Sequence, residues 1–353
     1  MVTMTATAAV PPSTPPSTTT ATRRRVLTVS VAVVLMLVGA VLSMWIGTRW
    51  TDPAQVIDAL TAGRGHGGDI GIIVWDQRIP RTLMAIAVGA AIALSGALVQ
   101  GLTGNPLGDP GVLGISGGAA FFSVLAVFLF GLQSVSAYVW FAVAGAIIAA
   151  ALVFGVASLG GGGANPLSLI LAGAACSAFF IAGTTAVILN DQASLNQYRF
   201  WSAGSLVERD LGILAGVAPL MIVGVVVALA CGPSLNVLAA GPELATALGV
   251  RVGMIRGACF LALTLLAAAG TAAAGPIAFL GLVVPHIVRH FTGPDHRWLL
   301  VACMPAGAAL MLVADVIGRV VMRPAEVQVG VILAFIGVPV YIYLVRRRRM
   351  VQT

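Results

Sequence analysis

Few side chains in this 353-residue chain can do chemistry, and their spacing limits what that chemistry is. Asp315 is an acid set inside an apolar run, with Arg319 four residues on. An embedded carboxylate can relay protons, whereas a partner at i+4 on a helix can hold it in an ion pair. We read the pair as structural, with the aspartate orienting Arg319. His286 and His290 are also four apart, a spacing that can present two ligands to a metal. Only Asp295 and His296 follow nearby, so packing and hydrogen bonding at a helix end is the simpler reading. Arg78 and Arg81 frame the sequence RIPR at the mouth of a long uncharged run. Such arginines either snorkel toward water or fork onto carboxylates. Cys176, Cys231, Cys259 and Cys303 are far apart with no C-x-x-C, which makes them small apolar fillers rather than disulfide or zinc ligands.

The elements that must carry these groups follow from composition. Apolar residues make up 59% of the chain and charged ones only 9%, against about a quarter in soluble domains. Such a chain cannot solvate its own surface, so it belongs in a membrane. From Pro110 to Asn190 no side chain is charged. Lysine is absent, and a phosphate-binding loop of the G-x-x-x-x-G-K-[S/T] type is therefore excluded. The net charge of +7 does not point to nucleic acid. Seven of the nineteen arginines sit in two end clusters, Arg23 to Arg25 and Arg346 to Arg349, where they act as topology signals.

Ten apolar segments are predicted, near 26–46, 82–102, 112–131, 138–158, 167–189, 211–231, 256–274, 276–290, 298–318 and 327–345. The segment at 276–290 is short and contains Pro285. The expectation is an all-α polytopic membrane protein with about ten transmembrane helices. An even count with arginines at both ends places both termini in the cytoplasm. Residues 1–22 are expected to form a disordered tail, 23–349 the membrane domain and 350–353 a second short tail. The arginines at 23–25 also resemble a twin-arginine export signal. However, the uncharged run from Val26 to Ile46 exceeds the roughly 7–15 residues of a signal core, which favours a membrane anchor. The polar insertion from Thr48 to Gln77 contains Asp52-Pro53-Ala54, a helix start expected to run to Leu60. The stretches near 191–210 and 319–326 are expected as polar loops on that same outer side.

Four blocks carry a family resemblance over nearly all of residues 26–345. RIPR leads into a long span ending in SGALVQGLTGNPLGDPGVLGISGGA; LAAGPELATALGV lies between two later spans; GPIAFLGLVVPHIVRH follows; LVADVIGRVVMRPAEVQVGVILAFIGVPVYIYL closes the series. In this order they resemble the permease subunit of type II ABC importers for iron-siderophores, haem and cobalamin.

The resemblance implies a permease dimer, with itself or with a homologous permease. Two separate ATPase subunits would hold ATP and Mg, leaving this chain without a cofactor or catalytic residues. A substrate-binding protein would dock outside through Arg78 and Arg319, a task Arg81 can share. Gly241, Pro242, Glu243, Leu244, Ala245, Leu248, Gly249 and Val250 would form the short helix that couples to the ATPase. Gln100, Asn105, Pro106, Gly114, Ser116, Gly117 and Gly118 read either as a turn with closely packed helices or as room along the translocation path. The implied cargo is a ferric siderophore, with haem and cobalamin as alternatives. A secondary transporter would need embedded ionisable groups, for which Asp315 is nearly the only candidate. The implied location is the bacterial inner membrane.

Overall fold

The computed structural model describes residues 18–65, 68–132, 134–159, 165–207 and 209–349, and the regular structure there is entirely helical. In order these are α1 (Thr18–Trp45), α2 (Pro53–Ala62), α3 (Gly68–Ile72), α4 (Ile79–Thr103), α5 (Ile115–Phe130), α6 (Val135–Ser158) and α7 (Pro166–Asn190). There follow α8 (Gln192–Ser202), α9 (Leu211–Leu238), α10 (Pro242–Ala247), α11 (Val252–Ala274), α12 (Leu280–Thr292), α13 (His296–Val321) and α14 (Val329–Arg349). A π-helical turn, Ile73–Arg78, joins α3 to α4 without a break. Most of the expected tail, residues 1–17, and all of 350–353 lie outside the described residues. Thr18 to Thr22 already belong to α1.

Helices dominate because a chain in hydrocarbon must satisfy its own backbone groups. Their starts are written in polar residues. Asp52, Asn165, Asp191, Asp210 and Asp295 each sit at an N-cap and accept a hydrogen bond from a backbone N–H of the first turn. Asn165 forms a capping box with Ser168. Among the described residues seven helices are long and apolar enough to cross a membrane, and Ile115–Phe130 and Val329–Leu344 are shorter apolar helices. At 13 residues α12 spans about 20 Å, less than the roughly 30 Å hydrocarbon core. The bend before it, 275–279, is non-helical and buried at Gly275 and Ile277, with Ser205 N–H donating to the Ala274 carbonyl at 2.7 Å.

The core forms around α4, which is buried along most of its length against α13, α11 and α12. Its contact with α12 leaves no room for side chains: a Cβ on Gly96 would fall 1.9 Å from the Gly281 carbonyl oxygen. Backbone-to-backbone packing of this kind replaces the hydrophobic effect as the force between membrane helices. One stretch expected as a polar loop is helical, and the helix expected after Asp52 is present as α2. Residues 192–202 form α8, capped by Asp191 and held by Gln197, whose amide donates to the Tyr138 hydroxyl at 2.7 Å. The Thr48–Gln77 insertion contributes α2 and α3, with Trp75 Nε1 donating to the Ala59 carbonyl at 2.9 Å. The first turns of α1 reach the end of α12, where Arg25 Nε donates to the Thr292 carbonyl at 3.1 Å. Leu344 of α14 packs on Leu282 and Val283, near Leu107, at that same face of the bundle, which also carries α10.

Candidate docking and coupling sites

On the face opposite α10, three helix ends meet in a buried ionic cluster. The last carbonyls of α1 have no intrahelical partner and carry the negative end of its dipole. Two arginines satisfy them. Arg78 donates through Nη1 to the Met44 and Trp45 carbonyls and to Thr51 Oγ1 (2.6 Å), and through Nη2 to the Arg49 carbonyl (3.0 Å). Arg319 donates to the Ser43 carbonyl and to Ser43 Oγ, both at 2.9 Å. Gly47 is needed where the chain passes Arg78, because a Cβ there would sit 2.8 Å from Nη2. Both arginines are buried, at 4% and 2% exposure.

Asp315 pairs with Arg319 as its spacing implies, and it also receives Arg81 in a forked contact at 2.7–3.1 Å. Arg81 then reaches Glu326 at 2.7 Å, tying α4 to the segment before α14. A carboxylate saturated by two guanidiniums is a structural hub, and it offers no free group for a proton relay. Glu326 was missed in the sequence because its partner lies 245 positions away. The arginines expected to dock a binding protein do not stand free at the surface. Instead Arg49, Arg78, Arg81 and Arg319, with Glu326, surround a small depression of about 70 Å³. The Nε of Arg319 has no hydrogen-bond partner there. Arg323 is exposed nearby, its guanidinium 5.8 Å from the Trp50 ring centroid.

The segment expected to couple to an ATPase forms a short helix outside the bundle. Gly241 opens α10 at φ +115°, a backbone setting that L side chains rarely adopt. Pro242 and Glu243 occupy its first turn, where an acid complements the helix dipole. The Val250 N–H returns to the Ala245 carbonyl at 2.9 Å, with Gly249 at φ +80° closing the turn. Buried Ala245 anchors the helix, while Leu244 and Leu248 project outward at 50% and 65% exposure.

The Gly/Asn/Pro region is closely packed against its neighbours. Gln100 is buried and donates its amide to the Leu282 carbonyl at 3.2 Å, joining α4 to α12. Asn105 Oδ1 accepts from Leu107 N–H, forming the turn that contains Pro106. Gly114 ends the short 3₁₀ turn at φ +77°, close to the Gly173 carbonyl. At Gly118 a Cβ would meet the Gly145 carbonyl oxygen at 2.4 Å. Ser116 and Gly117 are half-buried at the start of α5, where Gly117 faces Phe180 of α7. His290 gives its carbonyl to Arg24.

Comparison with known proteins gives this arrangement its lineage. Residues 35–347 match the FecCD transport family. The ferric enterobactin transport system permease protein of Escherichia coli K12 is 43% identical over 92% of this chain and 96% of its own length. A probable siderophore transport system permease of Bacillus subtilis is 40% identical over 85% of this chain and 89% of its own length. The hemin transport system permease of Yersinia pestis is 37% identical over 78% and 84%. A metal-chelate type ABC transporter solved in an inward-facing conformation superposes with a TM-score of 0.79 at 29% identity, covering 91% of this chain and 99% of that one. With a family match over most of the chain and relatives at 40% identity or more, the chain belongs to the FecCD transport family.

Proposed function

We propose that this chain is the permease subunit of an ATP-driven importer that moves a ferric siderophore across the inner membrane. The observation that carries the reading is α10, a helix too short to serve the bundle, presenting Leu244 and Leu248 at one face of a FecCD-family permease. In this reading two ATPase subunits grip α10 from the cytoplasm and tilt α9 and α11, to which it is directly connected. Hydrolysis belongs to those subunits. The α10 face is cytoplasmic and holds both termini, and the chain crosses about ten times, with α12 as a partial crossing behind α4. Arginine clusters at the two ends support that orientation. A second permease, identical or homologous, completes the pore.

The substrate-binding protein docks on the opposite face. The arginine-lined depression is the docking point: an acidic side chain entering it meets the rim of Arg78, Arg81 and Arg319. Such a contact sets orientation and association rate more than affinity. Arg319→Gln in folded protein is expected to slow binding-protein association at low salt and to flatten its salt dependence. Unchanged association kinetics would remove Arg319 from docking.

Relatives that carry enterobactin and other siderophores favour that cargo over haem. The test is uptake of radiolabelled ferric siderophore in a strain lacking the gene, with labelled haem and cobalamin in parallel. Loss of iron-chelate uptake alone, restored by the intact gene, supports the siderophore. Loss of haem or cobalamin uptake alone keeps the architecture and replaces the cargo.

A further inference from the structure

A second polar site lies at the root of α10, where a cavity of about 400 Å³ opens between the end of α4, the start of α10 and the helices α11 to α13. Arg256 of α11, Arg289 of α12 and His296 of α13 line it together with Pro242. No Asp or Glu is among its described lining residues. Arg256 Nε, Arg289 Nε and Arg289 Nη2 have no hydrogen-bond partner, although these atoms are buried. His296 is 6% exposed, and its Nε2 also lacks a partner. The other ring nitrogen is fixed. Nδ1 lies 3.0 Å from Asn236 Oδ1, an acceptor, so Nδ1 carries the hydrogen and Nε2 takes a second one only in the imidazolium.

Buried polar atoms in native proteins are nearly always paired, and unpaired cationic ones are the costliest to leave so. Three guanidinium nitrogens without acceptors on one acid-free cavity therefore point to an anion. The nearby carboxylates do not supply it. Asp295 is engaged by Arg25 and Asn236, and Glu243 faces outward on α10. We propose that this cavity binds a phosphate-class oxyanion, delivered by an anionic phospholipid headgroup or by free phosphate. Arginine forks match phosphate geometry, and guanidinium donors converging from α11 and α12 suit a tetrahedral acceptor better than a planar carboxylate. Basic pockets between membrane helices are also where phospholipid headgroups lodge. Because Pro242 forms part of the wall, the bound anion stiffens the base of α10. The site does not depend on which cargo the permease carries.

The test uses the full chain in nanodiscs. In discs of phosphatidylcholine alone, equilibrium binding of radiolabelled orthophosphate is measured for the wild type and for R256Q/R289Q. In discs containing phosphatidylglycerol, native mass spectrometry counts the lipids retained after release. Saturable phosphate binding, weakened at least tenfold in the double variant, identifies free phosphate. Retained phosphatidylglycerol, lost in the double variant, identifies the headgroup. Wild-type protein that holds neither, or a folded double variant that holds either as well as wild type, overturns the proposal. Neither readout requires the ATPase, so both hold even if the substitutions weaken its assembly. Should the double variant fail to fold, the single variants are read in its place. Phosphate is also competed against phosphatidylglycerol on the wild type, and absence of competition then overturns the shared site.

Discussion

Replacing Asp315 by asparagine keeps the size of the side chain and one acceptor but removes the charge that two guanidiniums share. Asp315 is 1% exposed and contacts Arg81 and Arg319 at once. Removing one member of a buried ion pair costs about 3–5 kcal/mol, since the remaining charge is left uncompensated. Arg81 keeps Glu326 in the variant, so the lower end, about 3 kcal/mol, is expected. With an unfolding entropy of about 2.1 cal/mol/K per residue, that loss lowers the thermal midpoint of this chain by about 4 °C. The assay is thermal unfolding of purified protein followed by size-exclusion chromatography. A double-mutant cycle sharpens it. Because D315N and R319M remove two ends of one contact, the double variant should be destabilised by at least ~1 kcal/mol less than the sum of the singles. Uptake per folded molecule is expected to stay within about twofold for D315N, since the residue holds helices rather than moving protons. A D315N midpoint equal to wild type, an additive cycle, or folded D315N that has lost uptake would each refute the structural assignment.

Four further outcomes are expected. Gly96→Ala should fail to accumulate as folded protein, because its methyl would overlap the Gly281 carbonyl oxygen and force α4 from α12 beyond the usual 1–3 kcal/mol of overpacking; Gly253→Ala, with open space around it, is the neutral control in the same chromatography. Leu248→Asp on the exposed face of α10 should leave the thermal midpoint unchanged and reduce ATP-driven uptake at least about tenfold; unaltered uptake would remove this face from the ATPase contact. Gly241→Val should destabilise α10 by about 1–2 kcal/mol through its φ of +115°, seen as faster proteolysis of the 239–251 loop. Asp109, in the turn after α4, has one oxygen enclosed without a partner beside Gly281, and burial, partly offset by the hydrogen bond from Gly111 N–H, pushes its carboxyl up to about 6. A raised folded value means stability is greatest below the unfolded pKa of about 4 and is lost as pH rises through 6, so D109N should match wild type near pH 4 and exceed it above pH 7; a wild-type midpoint flat across that range would contradict this.

How far the sequence could be read depended on how local each cause was. Helix starts were legible because an N-cap is a contact over two or three residues, as Asp52 with Ala54 N–H shows. The Asp315–Arg319 pair was legible for the same reason, one turn apart on α13. Arg81 was visible as a cation, but its roles were not, because Asp315 and Glu326 lie 234 and 245 positions away. The carbonyls of α1 that Arg78 and Arg319 reach also lie far from them in the sequence. The family resemblance implied surface recognition for them, whereas the end of α1 folds over them and takes their donors for its own carbonyls. Orphan carbonyls are present at every helix end, so sequence cannot say which cation will reach them. This has a consequence for docking experiments. Changing Arg78 or Arg319 also uncaps α1, and a loss of uptake in such variants bears on docking only when α1 is shown to remain in place.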